Sequence, residues 1–393
     1  MLDFVLEPGR DRALRNRHPW LLSRSGEVRG AGDAAPGSSV RVVSSDGEVL
    51  GYGDLSPASS LRVRVHHFGK EEPAEDWFVR RIEAAIARRA GDPSLAATDA
   101  HRLVNAEGDG LPGLVIDRYK DVLVVKLQSA GMHRRRERLA AALPGLLPPA
   151  EVVCAWERAD AAACRREGVP VVEGPLFGDP PSAKVAIREG ACHFEVDVIH
   201  GQKTGFYLDQ RDARAWVAKY APGRDVLDLF CYSGGFATAA AQAGAASVTL
   251  VDSSAPALET AEHHLQANAP DCPRTVVKGD AFETLRGEGP DFDLLVVDPP
   301  PLARRRSQVA KASRAQKDLL LHALRRARPG ALVFAFSCSH HMGPDLFRKI
   351  AFGASRDAGR PVQVVGSLGA PSDHPVSLDH PEGAYLTGLV LRT

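Results

Sequence analysis

From residue 226 onward the chain repeats one pattern: a short apolar run, a polar or glycine break, then a longer stretch with apolar residues every three or four positions. The first kind of run predicts strands at 226–230, 247–252, 275–278, 292–298 and 331–337. The second predicts helices at 234–243, 256–267, 312–327 and 345–357. Strands alternating with helices imply a doubly wound parallel sheet. Two later strands, 361–365 and 385–391, are joined by a loop too irregular for a crossover helix, so they are expected to pair as an antiparallel edge.

The first 70 residues carry a different period. Leu61-Arg-Val-Arg-Val65 alternates apolar with basic, and further β signals at 40–43 and 48–52 are punctuated by glycine. A small β-barrel with an arginine-bearing face is expected. Residues 76–89 read as a helix with Phe78, Ile82, Ala85 and Ile86 on one stripe and arginines opposite. Strands at 113–117, 122–127, 151–156 and 169–173 and a helix at 132–143 make a central α+β module. The segment 174–182, with three prolines, reads as a linker. The expected division is 1–71, 72–184 and 185–393.

Composition narrows the class. At 393 residues the chain exceeds one hydrophobic core, and 44% apolar with 25% charged residues is ordinary for a globular protein. No apolar run approaches the roughly 18 to 20 residues that cross a bilayer, so a cytoplasmic protein without a membrane partner is expected. The six cysteines are scattered without a Cys-x-x-Cys pair, and the histidines show no ligand spacing, so neither disulfides nor a metal is expected. Net charge is zero, which confines any nucleic-acid contact to local stripes. Arginines cluster at 10–17, 134–136 and 304–306.

The chemistry concentrates after residue 225. Val226-Leu-Asp-Leu-Phe-Cys-Tyr-Ser-Gly-Gly-Phe236 reads as a strand, a tight glycine turn and a helix start, and its spacing is not that of a pyrophosphate cradle. Asp252 ends the second strand, where it can accept from two ribose hydroxyls. Asp280 can accept from an adenine amino group. Asp298-Pro-Pro300 stops a fully apolar strand and aims a carboxylate into the crevice beyond the strand ends. The cofactor cleft is therefore expected to involve Asp228, Phe230, Ser233, Gly234, Gly235, Asp252, Asp280, Ala281, Asp298 and Pro299. Cys338, at the end of the next strand, is a candidate nucleophile: cytosine C5 becomes nucleophilic only when a group adds to C6, and a thiolate is suited to that addition. Asp298 is expected to bind the exocyclic amine and N3. Cys231, inside the turn, reads as packing.

Over nearly its whole length the chain resembles the bacterial 23S ribosomal RNA cytosine-C5 methyltransferases that join an N-terminal PUA domain to a class I methyltransferase domain. The matching stretches include Arg17-His-Pro-Trp20, Gly53-Asp-Leu-Ser-Pro-Ala-Ser59, Glu107-Gly-Asp-Gly-Leu-Pro-Gly113, Lys203-Thr-Gly-Phe-Tyr-Leu-Asp-Gln210, the glycine turn, Asp298-Pro-Pro300, Ser337-Cys-Ser339, Asp373-His-Pro-Val376 and Glu382-Gly-Ala-Tyr385. The resemblance implies an α/β fold with a Rossmann-like sheet in strand order 3-2-1-4-5-7-6. It also implies S-adenosyl-L-methionine as cofactor, a lid at 203–210 bringing Thr204, Phe206 and Gln210 to it, and Cys338 as nucleophile. Ribosomal RNA of the large subunit is the implied partner, met by Arg17, His18, Arg304, Arg305 and Arg306, with a homodimer as an option for the solution state. Relatives carry a lysine after Asp-Pro-Pro; this chain has Pro301. The rival readings are a guanine N-methyltransferase, which needs no thiol, and an RNA-binding assembly factor without turnover. An NAD-dependent dehydrogenase is more distant.

Overall fold

At the amino terminus Leu2, Phe4 and Leu6 alternate with half-buried Asp3 and Val5, the period-two signature of a strand with one face inward. In the computed structural model, which describes residues 2–30, 34–148, 151–182, 184–303 and 305–393, this is β1 (Leu2–Leu6). After the single turn α1 (Arg12–Arg15) come β2 (Trp20–Leu22), β3 (Gly26–Arg29), β4 (Ser39–Val43), β5 (Val49–Leu55) and β6 (Leu61–Phe68). They form a six-stranded sheet in the order β2-β6-β5-β4-β1-β3. Its core is Phe4, Leu6, Leu21, Val40, Val42, Leu55, Val63 and Val65. Arg64, on the predicted basic face, ends on the buried Glu167 at 2.9 Å.

The helix α2 (Trp77–Ala90) buries Phe78, Ile82 and Ala85 as expected, with Ile86 partly buried, but Arg89 is not on a solvent face. Its guanidinium is buried and makes two bonds to Asp109, at 2.7 and 2.8 Å. A second sheet, in the order β11-β10-β9-β8-β7, is built from β7 (Ala100–Asn105), β8 (Leu114–Tyr119), β9 (Val122–Leu127), β10 (Cys154–Glu157) and β11 (Gly174–Phe177). Residues 169–173 form no strand; the pairing strand is β11, the first part of the predicted linker, where backbone bonding to β10 outweighs its proline. The predicted helix at 132–143 is two helices, α3 (Ala130–Arg134) and α4 (Arg136–Leu146), which break at Arg135, whose side chain is drawn to Asp54 at 2.6 Å. The short helix α5 (Ala161–Glu167), capped by Asp160, follows β10.

After the hairpin of β12 (Lys184–Glu189) and β13 (Cys192–Asp197) and the helix α6 (Arg211–Tyr220), the alternating region folds as predicted. Its strands are β14 (Asp225–Leu229), β15 (Ser247–Asp252), β16 (Arg274–Lys278), β17 (Phe292–Val297), β18 (Ala327–Ser337), β19 (Gln363–Leu368) and β20 (Thr387–Arg392). The helices are α7 (Gly235–Gln242), α8 (Ala255–Asn268), α9 (Ala281–Arg286), α10 (Val309–Arg326) and α11 (Pro344–Ala358). The sheet order β16-β15-β14-β17-β18-β20-β19 is 3-2-1-4-5-7-6 in the strand numbering of this sheet, as the resemblance implied. The two last strands do pair antiparallel, but β20 is interior, between β18 and β19. Apolar clusters cover both faces: Leu295, Val297, Leu319, Leu320, Val333 and Phe347 on one, Val226, Leu250, Leu294, Val296, Phe334 and Val390 on the other.

The chain divides into two units. The first comprises Met1–Ile187, Glu195–Leu208 and Ser372–Gly383; the second comprises Arg188–Phe194, Asp209–Pro371 and Ala384–Thr393. Among the described residues no helix is long and apolar enough to cross a membrane.

Candidate cofactor and catalytic site

Sheet register brings the predicted acids together. Leu229 at the end of β14 pairs with Val251 on one side and Val297 on the other, so Phe230, Asp252 and Asp298 are the next residues of three adjacent parallel strands. Val297 in turn pairs with Ala335, and β18 runs two residues further, to Ser337 and then Cys338. Parallel strands end together at their carboxyl ends, and the crevice there is where ligands meet this kind of sheet.

The turn between β14 and α7 is tightly wound. Phe230, Tyr232 and Gly234 all have positive φ, at 59°, 49° and 72°. A left-handed backbone at two bulky residues is costly and recurs at functional sites. Gly234 is required for a second reason: a Cβ there would lie 2.7 Å from the Cβ of Ala261 on α8. Asp252 holds the turn in place, its Oδ2 accepting from the Tyr232 amide and its Oδ1 from the Ser254 amide, both at 2.9 Å. Ser233 is buried, and its carbonyl meets His264 Nδ1 at 2.9 Å. Cys231 packs in the apolar cluster, and burial pushes its thiol far up. It is packing, as read from the sequence.

Asp228 is fully enclosed on β14. One oxygen accepts from the Ala237 amide at 3.0 Å, and the other, Oδ1, has no donor among the described residues. Burial drives its pKa up to about 8, opposed by the Ala237 bond and reinforced by the negative charges of Asp298 and Asp252. Three carboxyl groups thus share one end of the sheet.

Asp298 Oδ2 accepts from Gln210 Nε2 at 2.9 Å, and Gln210 is itself buried with its own carbonyl oxygen unmatched. Cys338 is half-buried, and its Sγ lies 3.5 Å from the carbonyl oxygen of Pro299, the residue after Asp298. Ser339 fixes the chain beyond it by donating to Ala303 O at 2.7 Å. The rings of His340 and His341 are 3.8 Å apart. Asp298, Pro299 and Cys338 therefore form one cluster.

Other predicted residues have local duties. Asp280 caps α9, its Oδ1 accepting from the Phe282 and Glu283 amides at 2.8 and 3.1 Å; Ala281 is buried beside it, and Phe282 stands edge-on to Phe230 with centroids 6.2 Å apart. Thr204 and Phe206 belong to the first unit. Thr204 donates to Asp117 at 2.7 Å and lies 2.8 Å from the hydroxyl of Tyr119, which also accepts from the Phe206 amide. Arg17 lies over Phe68, 5.0 Å from its centroid, and His18 meets Glu382 at 3.2 Å. Arg305 and Arg306 are exposed ahead of α10; Arg304 lies outside the described residues. The cluster at 134–136 is largely neutralised, Arg135 by Asp54 and Arg136 by Glu157.

Residues 134–390 match the family of S-adenosylmethionine-dependent methyltransferases, and residues 4–68 match the PUA-like domain. The chain belongs to this methyltransferase family. Among curated proteins it is 44% identical to the ribosomal RNA large subunit methyltransferase I of Shewanella amazonensis and 43% to that of Shewanella denitrificans, each over 98% of both chains. The counterpart from Alteromonas mediterranea is 41% identical over 98% of this chain and 97% of its own. Two solved structures share the fold over 100% of both chains at 22% identity: a methyltransferase complexed with SAH, at a TM-score of 0.85, and a methyltransferase from Streptococcus mutans, at 0.83.

S-adenosylmethionine is the cofactor of this methyltransferase. The residues present fit it. The cofactor carries a sulfonium and an ammonium, and the second unit offers three clustered carboxyl groups, one with an enclosed oxygen lacking a donor. No group of three or more potential metal ligands occurs among the described residues. Sequence reasoning missed two buttresses of the methyltransferase. Tyr385 bonds Asp209 at 2.6 Å beside Gln210, and the buried Gln316 of α10 donates to Phe336 O at 3.2 Å, two residues before Cys338. Only the apolar spacing around Gln316, a polar residue at a core position of its helix, hinted at the second.

Proposed function

We propose that this methyltransferase forms 5-methylcytosine in 23S ribosomal RNA through a covalent adduct between Cys338 and C6 of the target base. The observation that carries the reading is the proximity of the Cys338 thiol to the Asp298-Pro299 strand end, at the carboxyl end of the sheet that also holds Asp228 and Asp252. The relatives' names, which specify the large-subunit ribosomal RNA, support the substrate class. The three-part division at 71 and 184 is kept as part of this reading, with the PUA-like barrel and its Arg17 and His18, and Arg304 to Arg306 ahead of α10, gripping RNA.

S-adenosylmethionine supplies a methyl group made electrophilic by its sulfonium. Asp252 would receive its ribose hydroxyls, Asp280 its adenine amine, and the Phe230 to Gly235 turn its adenosine and methionine portions, with Asp228 opposing their positive charge. Asp298, steadied by Gln210, accepts from the cytosine amine and orients the ring. Cys338 Sγ adds to C6, which makes C5 an enamine carbon; after C5 is methylated, its proton passes to a base and the C6–S bond breaks, restoring the thiolate.

Bisulfite or mass-spectrometric mapping of ribosomal RNA from cells with and without the protein tests the product; one 5-methylcytosine should disappear. Cys338→Ala should abolish turnover while retaining cofactor affinity, and RNA bearing 5-fluorocytidine at the target should trap the wild type covalently but not the variant. Retained activity in Cys338→Ala would favour N-methylation and sink the adduct.

A further inference from the structure

One face of the second sheet is spoken for. Leu123, Val125 and Leu127 of β9 and Ala155 of β10 pack with Phe78, Ile82 and Leu139 in an apolar core. Strand alternation then sends Lys126 to the opposite face, and Trp156 and the next in-line residue, Arg158, to that face as well. β9 and β10 are parallel, with Trp156 opposite Val124 and the Arg158 amide bonded to Val125 O at 2.9 Å. Lys126 and Arg158 are therefore cross-strand neighbours of like charge, an arrangement that destabilises a sheet.

Among the described residues of the first unit, Asp117 and Asp160 oppose that repulsion only partly and from a distance. Neither Lys126 nor Arg158 makes an ion pair among them. Nε and Nη1 of Arg158 are enclosed without an acceptor. The nearby acids are already engaged: Asp117 takes a two-pronged bond from Arg102 at 2.7 and 2.9 Å, and Asp160 caps α5 through the Ala162 and Ala163 amides. Burial, with Arg158 beside it, holds the Lys126 ammonium below its ordinary pKa. Nη2 of Arg158 is not among those enclosed nitrogens, so one edge of the guanidinium is left to meet an anion beside Lys126. Trp156, half-buried, has no ring or cation partner among the described residues.

We infer that Lys126 and Arg158 form an anion site for a backbone phosphate of the RNA substrate, with Trp156 as an adjoining platform for a base. The inference rests on the proposed RNA reading. An unpaired lysine and arginine side by side suit a phosphodiester, and an aromatic ring next to them is the companion that single-stranded RNA uses.

The test is titration of deproteinised ribosomal RNA, from cells lacking the protein, against wild type, Lys126→Gln, Arg158→Gln, the double variant and Trp156→Ala across a salt series. The double variant should bind roughly tenfold more weakly. Its slope of log affinity against log salt should be shallower by about 0.7 for each phosphate that the variant no longer neutralises, whereas Trp156→Ala should weaken binding without changing the slope. KM for RNA should rise with kcat intact. Calorimetric affinity for S-adenosylmethionine should be unchanged, and thermal midpoints equal to or above wild type because repulsion is relieved. Unchanged RNA affinity and slope in variants that stay folded overturns the inference while leaving the proposed activity standing. Loss of cofactor affinity instead assigns the pair to the cofactor and also overturns it. A wild type that neither binds nor methylates this RNA removes both.

Discussion

Asp117 in the central sheet and Asp228 in the methyltransferase sheet are equally hidden, at 0% and 1% exposure, yet the protein treats them in opposite ways. Asp117 is saturated: Arg102 grips both oxygens and Thr204 donates to one, and these positive and polar partners outweigh burial and hold its pKa below the ordinary carboxylate range. Asp228 has one amide, an empty lone pair and two acidic neighbours, and its pKa rises to about 8. Burial alone thus says nothing about the role of a charge. A saturated buried acid holds the fold together, and an unsaturated one keeps acceptor capacity that the surrounding protein does not use.

The comparison breaks first at Arg102. Arg102→Met should leave Asp117 buried and uncompensated and cost about 3–5 kcal/mol in denaturant unfolding; a loss under about 1 kcal/mol would mean the pair is ornamental. The second effect is in the sign of the pH dependence. Asp117, with its folded pKa lowered, contributes stability that is present above about pH 4 and is lost as acid protonates it. Asp228, with its folded pKa raised, binds its proton more tightly folded than unfolded, so stability falls as pH rises from about 4 to about 8. Asp228→Asn should flatten the unfolding free energy across that window, and an unchanged slope would contradict the raised value. The third concerns the cofactor. With Asp228 facing the cofactor as proposed, the cofactor's positive charge would favour the ionised carboxylate, so affinity for S-adenosylmethionine should tighten as pH rises through about 8, and the asparagine variant should bind more weakly with no such rise. Smallest is Gly234→Ala, expected to cost about 1–2 kcal/mol from its left-handed backbone and more if Ala261 cannot yield; a melting midpoint equal to wild type would mean the turn relaxes freely.

The methyltransferase sheet was more legible than the rest because each of its strands is an unbroken apolar run with chemistry at its end. Asp252, Asp298 and Cys338 could be placed at strand ends from period alone, since a parallel sheet brings those ends together. The first unit was harder to read. The strand β1 lay outside the segments read as β signals, β11 hid in a proline-rich segment, and Arg89 sat at a helix position where arginine usually meets water. In each case a distant partner decided: β3 and β4 for β1, β10 for β11, and Asp109 for Arg89.

By itself the chain order determined the alternation of strands and helices, the glycine turn and the acids at strand ends, because these depend on residues near one another in sequence. Only the tertiary structure decided which buried charges are satisfied. Arg102 reaches Asp117 from fifteen residues away, while among the described residues nothing reaches the second oxygen of Asp228 or the enclosed nitrogens of Arg158. Local periodicity reports which face a side chain takes, but its electrostatics are set by whatever the fold brings opposite.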